Sequence, residues 1–143
     1  EVQLQAVRQD SLDIEYINNP SEKVQLEAVN KDSNTIQYIK KPTERVQLEA
    51  IKKDSLALYH IKNPSEKVKL EAVRRDGKSI GYIKNPSEQL QLEAVKRSRD
   101  AIQYIKNPSE KIQLEAIRQY GDAIYHIKNP TSKVKALHKQ LWK

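Results

Sequence analysis

The chain has no cysteine, no methionine and no phenylalanine, and only one tryptophan and three glycines among its 143 residues. Without cysteine it has no disulfide and no thiolate chemistry, a usage that fits a reducing compartment, so we expect a cytoplasmic location. The apolar fraction is 37%, which suits a thin repeat array better than a globule with a thick core. No run of residues has the length and apolar character of a membrane span, so we expect no membrane partner.

Proline occurs six times, at regular positions. Each proline follows the one before it at the same interval: Pro20, Pro42, Pro64, Pro86, Pro108 and Pro130. A fixed period of this size is typical of stacked repeats. We therefore predict one repeat domain over 1–143, with a partial repeat at 1–19, full repeats at 20–41, 42–63, 64–85, 86–107 and 108–129, and a C-terminal capping helix at 130–143.

Each repeat starts with a helix-start pattern and contains two helical segments. In the repeat 108–129, the preceding residue Asn107 is placed to cap the first helix. Pro108 would occupy the first helical position, and Glu110 would complete a capping box. That helix should run for about eleven or twelve residues and end where Gly77 and Gly121 can adopt the left-handed backbone. The second helix should be about seven residues long, α or 3₁₀. The predicted fold is an all-α, right-handed α-solenoid of 22-residue two-helix tandem repeats.

The first residues match the middle of a repeat rather than its start. Val2 and Leu4 align with Val24 and Leu26, but no Asn-Pro-Ser-Glu segment precedes them. We expect either a piece of a longer array or a shortened chain, in which head-to-tail association or closure into a ring stays open. The irregular residue Lys41 favours a natural origin over an engineered one.

The repeat motif resembles known helical repeats. Asn-Pro-Ser-Glu-Lys-Val-Gln-Leu-Glu-Ala-Val, seen at 19–29, resembles the first helix of HEAT-like and leucine-rich-variant repeats. The segment 72–82 resembles an uncharacterised bacterial and viral repeat family that reads Ala-Val-x-x-Asp-Gly-x-Ala-Leu-x-Tyr. The resemblance covers essentially the whole chain and implies a fold. It also implies a ladder of paired polar side chains, here Asn19 with Gln25, Asn85 with Gln91 and Asn107 with Gln113.

No set of residues predicts catalysis. The segment 72–79 resembles a phosphate-binding loop, but it lacks the first glycine and a helix precedes it where that motif needs a strand, so we interpret it as coincidence. His60 and His126 are three repeats apart, about 30 Å at 8–10 Å per layer, too far to share a metal unless the array closes. We expect no enzyme activity, no cofactor and no metal site.

Basic residues recur at two positions of the repeat. One row follows the short helix: Lys40, Lys62, Lys84, Lys106 and Lys128. The other row, at the end of the first helix, is partnered by glutamates four residues earlier: Glu27–Lys31, Glu49–Lys53, Glu71–Arg75 and Glu93–Arg97. The net charge is +7, and 130–143 alone carries four lysines, so steering of an anionic partner is reasonable. The first row could follow a phosphate backbone.

Two positions of the short helix vary freely while the framework barely changes. Leu56, Tyr59 and Tyr125 occupy these positions, and we expect them to lie on one surface. His60 and His126 follow Tyr59 and Tyr125, at a position where other repeats have tyrosine. Exposed leucine and aromatic side chains suit protein recognition. We therefore predict a non-enzymatic binding or scaffold protein that recognises a protein partner through the short-helix face. The alternatives are sequence-independent binding of nucleic acid along the lysine row, and an engineered or consensus-like scaffold without a natural ligand.

Overall fold

A computed structural model describes residues 1–143, and every regular element in it is helical. Seven α-helices alternate with six 3₁₀ helices. The α-helices are α1 Val2–Gln9, α2 Glu22–Lys31, α3 Glu44–Lys53, α4 Glu66–Arg75, α5 Glu88–Arg97, α6 Glu110–Gln119 and α7 Ser132–Leu141. The 3₁₀ helices are η1 Ser11–Tyr16, η2 Ser33–Tyr38, η3 Ser55–His60, η4 Gly77–Tyr82, η5 Ala101–Tyr104 and η6 Gly121–His126. The all-α tandem-repeat prediction is confirmed, and the handedness stays a prediction.

The contacts divide the chain into two compact units, Glu1–Ala72 (unit 1) and Val73–Lys143 (unit 2). In unit 1, α1, α2 and α3 pack on one another in chain order, and η1, η2 and η3 do the same. In unit 2, α5, α6 and α7 form the corresponding row, and η4, η5 and η6 the other. Each unit is therefore an α-layer backed by a 3₁₀-layer, and a single domain over 1–143 stays a prediction.

Small and branched aliphatic residues fill the space between the two layers. In the third repeat the α-helix contributes Val46, Ala50 and Ile51, and the 3₁₀ helix contributes Ala57 and Leu58, all of them buried. A six-residue 3₁₀ helix is not stable by itself, so its buried side chains must hold it in place, each contributing roughly 1.5–3 kcal/mol. The small and aliphatic side chains of the short helix thus form its buried face.

The start of the α-helix differs from the prediction. The cap is a serine or threonine two residues after the asparagine: the Ser109 hydroxyl accepts the backbone N–H of Ile112 at 3.3 Å. Asn107 instead has a φ of 49°, a left-handed conformation that asparagine tolerates better than most residues. Pro108 thus precedes the helix, and no capping box forms, because Glu110 is the first helical residue rather than the third.

The junction between the two helices of a repeat is held by aspartate. Asp32 has an extended backbone, and its carboxylate accepts the backbone N–H of Asn34 at 2.9 Å, which caps η2. Asp10, Asp54 and Asp76 do the same in their repeats. The predicted left-handed glycines are wrong, since no glycine has a positive φ.

Close packing explains the two junction glycines. A Cβ atom at Gly77 would lie 2.5 Å from the Ala94 carbonyl oxygen and 2.9 Å from the Ser98 Cβ. At Gly121 the neighbour is the ring of Trp142, 2.5 Å from the position of such a Cβ. The Trp142 indole N–H also donates to the Ile117 carbonyl at 2.8 Å. Trp142, which follows α7, therefore packs on the last 3₁₀ helix, and a capping role for 130–143 stays a prediction.

Candidate functional site

Several charges of the α-layer pair between neighbouring repeats. In α2, α3, α5 and α6 the first glutamate lies near the second residue of the next α-helix, which is basic: Glu22–Arg45 at 3.2 Å, Glu44–Lys67 at 3.8 Å, Glu88–Lys111 at 3.6 Å and Glu110–Lys133 at 4.0 Å. We call these four pairs the glutamate ladder. Exposed pairs of this kind add little stability. Because of these pairs, the glutamate carboxylates that follow the Asn-Pro loops already have cationic partners.

The second basic row is partly used in the same way. The predicted pair of Glu93 with Arg97 is confirmed at 2.9 Å, and Glu93 also contacts Arg74 at 3.8 Å. Glu49, however, pairs with Lys52 at 3.1 Å rather than with Lys53, since three residues along a helix bring side chains as close as four do.

Lys31 is the other exception in that row. Its ammonium group donates to the backbone carbonyls of Arg8 and Gln9 in the preceding repeat. The glutamate predicted to pair with it, Glu27, contacts Arg8 instead at 3.4 Å. A carbonyl at the end of a helix is a good acceptor for a lysine, because the last carbonyls of a helix have no partner within it. This row is therefore a poor candidate for an external ligand.

The first basic row is different. Its lysines are exposed, have no ion-pair partner and lie two residues beyond the end of each 3₁₀ helix, on the loop to the next repeat. Lys40 and Lys62 belong to unit 1, and Lys84, Lys106 and Lys128 belong to unit 2. Unit 2 thus presents three lysines at the same position of successive repeats.

Two cavities lie along this row in unit 2, and we call them slot A and slot B. Slot A is bounded by 84–86 and 104–106 and has a volume of about 600 Å³. Slot B is bounded by 106–108 and 126–128 and has a volume of about 480 Å³. The two slots repeat the same construction and share Lys106. Neither is lined by a carboxylate, so each is positively charged at its edges.

A glutamine holds the proline loop at the floor of each slot. The Gln91 side-chain amide donates to the Pro86 carbonyl, and Gln113 donates to the Pro108 carbonyl, both at 3.0 Å. In unit 1, Gln25 donates to the Pro20 carbonyl at 2.9 Å. The asparagine–glutamine ladder implied by the resemblance is therefore wrong, because the glutamine amide groups bind proline carbonyls within their own repeat.

Aromatic rings line both slots. Slot A has two, Tyr82 and Tyr104, which are 48% and 47% exposed. The Tyr104 ring lies against the backbone of Gly81, where an added Cβ would come within 3.3 Å of it. Slot B has one ring, His126, whose Nε2 lies 3.6 Å from an Asp100 carboxylate oxygen.

The residues predicted to bind a protein fall into two groups. Leu56, Tyr59 and His60 lie in unit 1, and the ring centroids of Tyr59 and His60 are 5.3 Å apart in an edge-to-face arrangement. Tyr125 and His126 lie in unit 2. Tyr59 is 71% exposed and Tyr125 82%, so both side chains are open to solvent. Each group is therefore described within its own unit.

Two features considered in the sequence, a metal site and a phosphate-binding loop, can be compared with the structure. No group of three or more histidine, aspartate or glutamate residues is placed to hold a metal ion. The segment 72–79 contains the end of α4 and the start of η4, with no strand before it, so the resemblance to a phosphate-binding loop does not extend to the fold. No helix is both long enough and apolar enough to cross a bilayer.

Together these features define an all-α, solenoid-like tandem-repeat protein with a lysine-lined row of slots in unit 2. No family model matches the chain, and neither does any curated protein or solved structure in the comparisons. The resemblance to HEAT-like and leucine-rich-variant repeats therefore stays a prediction from sequence. A repeat architecture alone carries many functions, so the function has to be argued from the site.

The slots are the feature that sequence reasoning missed. The lysine row follows from the period, but a row of lysines does not reveal the cavities between them. Those cavities depend on the left-handed backbone of Asn85 and Asn107 and on the glutamine bonds to the proline carbonyls. A glutamine recurs at the fifth residue after most prolines, and this recurrence is the sequence signal that could have indicated the slots.

Proposed function

We propose that this chain is a non-enzymatic binding module and that its ligand is nucleic acid, held without sequence readout along Lys84, Lys106 and Lys128. One observation carries the proposal: these lysines have no ion-pair partner and no carboxylate lines the slots between them. Phosphates at regular intervals are the partner that a regular row of free ammonium groups complements.

The charge distribution supports an anionic polymer over a small anion. The α-helices carry the whole excess of basic over acidic residues, 17 against 10, and the rest of the chain is balanced at nine against nine. The support is therefore local, because no carboxylate lines the slots beside the lysine row. A small anion would need convergent donors in one pocket, whereas these lysines are distributed over successive repeats. A backbone that carries one charge per nucleotide can contact all of them.

The test is a fluorescence-anisotropy titration of the intact chain with labelled oligothymidine, a mixed-sequence duplex and an oligoglutamate peptide, at about 50 and 200 mM salt. We expect the nucleic acid to bind at the lower salt and to lose affinity steeply at the higher one. Three to four phosphate contacts on a single strand predict a slope of about −2 to −3 in the logarithm of the association constant against log salt.

Two results would overturn this proposal. Failure of every nucleic acid to bind at the lower salt would remove it. Oligoglutamate that binds as tightly as oligothymidine, with the same salt slope, would show that the row recognises acidic protein instead.

The second candidate is a protein partner bound through the 3₁₀ face, the function first expected from the sequence. Its supporting observation is the exposure of Leu56, Tyr59 and Tyr125, since exposed aromatic residues are common anchors at interfaces. The apolar residues do not form a continuous patch, because polar residues such as Asn34 and Gln37 occupy the same positions in the neighbouring repeat. We therefore rank this candidate below nucleic acid.

This second candidate makes its own prediction. Replacing Leu56 and Tyr59 by serine should abolish retention of a specific partner from nuclease-treated extract, and the same loss should appear with the purified partner. The change should leave thermal unfolding almost unaltered, since exposed substitutions usually shift stability by less than about 0.5 kcal/mol. The control is Lys106→Gln, which should retain the partner. Equal retention by both variants would contradict a role for the 3₁₀ face.

Several finer features belong to the same proposal. We place the module in the cytoplasm, which suits a chain with no cysteine, and we retain the HEAT-like relationship as a description of the motif. Lys40 and Lys62 would form the corresponding pair in unit 1. Head-to-tail association is compatible with binding, since a longer array would lengthen the row of lysines. An engineered scaffold without a ligand predicts no binding in any of these experiments.

A further inference from the structure

We infer that the ligand is single-stranded nucleic acid and that slots A and B each receive one base, which stacks on Tyr104 in slot A and on His126 in slot B. This inference rests on the proposed function and deepens it. The flanking phosphates would then lie by Lys84 and Lys106 at slot A and by Lys106 and Lys128 at slot B.

The spacing of the repeats favours a single strand over a duplex. The slots recur once per repeat, and packed helical layers are about 8–10 Å apart. Stacked nucleotides in a duplex strand are about 3.4 Å apart. Bases that enter successive slots must therefore be unstacked from one another, which a single strand permits and a base-paired duplex does not.

Slot A has the features of a stacking site for a base. The next two repeats of unit 2 have a larger side chain at the position of Gly81: Gln103 and then Tyr125. The missing side chain leaves the Tyr104 ring partly open between two lysines. Aromatic rings beside cationic groups bind single strands without sequence preference, because every base has a π-face.

Slot B has an additional polar group. Gln113 is 7% exposed, and its Oε1 atom has no hydrogen-bond partner while its amide group donates to the Pro108 carbonyl. This oxygen is closed off from solvent, and the equivalent oxygens of Gln25 and Gln47 in unit 1 also have no partner. It is therefore part of the common framework of the repeat, and a base in slot B is supported by the His126 ring and the two flanking lysines.

The test compares three variants of the full chain for binding of a single strand that contains one 2-aminopurine. Tyr104→Leu removes the ring proposed to stack and leaves the Tyr82 ring of slot A in place, Tyr104→Phe retains both rings, and Tyr125→Leu removes an exposed tyrosine of unit 2 that lines neither slot. We expect Tyr104→Leu to weaken single-strand binding by about 5- to 100-fold and to reduce the quenching of 2-aminopurine. Tyr104→Phe and Tyr125→Leu should bind as the wild type does.

Duplex binding separates this inference from the proposed function. A duplex can contact the lysines but cannot fill the slots, so Tyr104→Leu should leave duplex affinity unchanged. If Tyr104→Leu and Tyr125→Leu bind the single strand equally well while the wild type shows the expected salt slope, the stacking inference falls and the proposed function stands. If the wild type binds no nucleic acid, both fall. Circular dichroism melting of Tyr104→Phe and Tyr104→Leu checks that each variant is folded.

Discussion

Replacing Lys84, Lys106 and Lys128 together by glutamine is expected to reduce affinity for single-stranded nucleic acid by about a thousandfold at about 50 mM salt. Each lysine that neutralises a phosphate on a single strand adds about 0.7 to the salt slope, which at that salt is worth about tenfold in affinity. The slope itself should decrease by about 2. Anisotropy titrations over a salt series measure both quantities.

The matched control changes three lysines that have partners. Lys67, Lys111 and Lys133 belong to the glutamate ladder, and their replacement by glutamine alters the net charge by the same amount. We expect this control to weaken binding by less than about tenfold, because it changes only the distant field. If this control loses as much affinity as the variant of Lys84, Lys106 and Lys128, then total charge, and not the row of free lysines, governs binding.

Replacing Gly77 by alanine should destabilise unit 2 by about 1–3 kcal/mol, the usual cost of overpacking. The added methyl group would lie 2.5 Å from the Ala94 carbonyl oxygen, and that oxygen belongs to the backbone of α5, so it cannot turn away. Either η4 or α5 must shift. Urea unfolding followed by circular dichroism at the helical band measures the change.

The control for this variant lies on the same 3₁₀ helix. Gly81 has a negative φ, and an added Cβ there would meet only the Tyr104 ring at 3.3 Å, which can move because it is partly exposed. Gly81→Ala should therefore be neutral or stabilise by up to about 1 kcal/mol, as alanine reduces the freedom of the unfolded chain. If Gly77→Ala proves as stable as Gly81→Ala, the close approach of α5 to η4 is wrong.

The period and composition predict most of the fold. Equally spaced prolines locate every repeat, and aliphatic residues at helical spacing locate the buried face, as Ala57 and Ile61 illustrate. The predicted caps are wrong because Asn-Pro-Ser contains two good capping residues, and only the backbone angles decide between them. Asn107 takes the left-handed conformation and Ser109 accepts the hydrogen bond. Sequence alone also leaves open whether the second helix is α or 3₁₀.

The candidate site is less predictable than the fold. The lysine row follows from the repeat, but which basic row has partners depends on contacts with the neighbouring repeat, such as Glu27 with Arg8 and Glu22 with Arg45. Because these contacts cross from one repeat to the next, patterns within a single helix cannot reveal them. The openness of Tyr104 likewise depends on Gly81 in the preceding repeat.

The glutamate ladder has a consequence for how such a gene can change. Glu88 meets Lys111 and Glu110 meets Lys133 through the same two positions of the repeat, so unequal recombination that removes or duplicates one whole repeat recreates an equivalent pair at the new junction. The number of repeats can therefore change without leaving an unpaired glutamate at these two positions. The pair of Arg99 with Asp122 at 2.9 Å is specific to its place, and we expect those two residues to be inherited together.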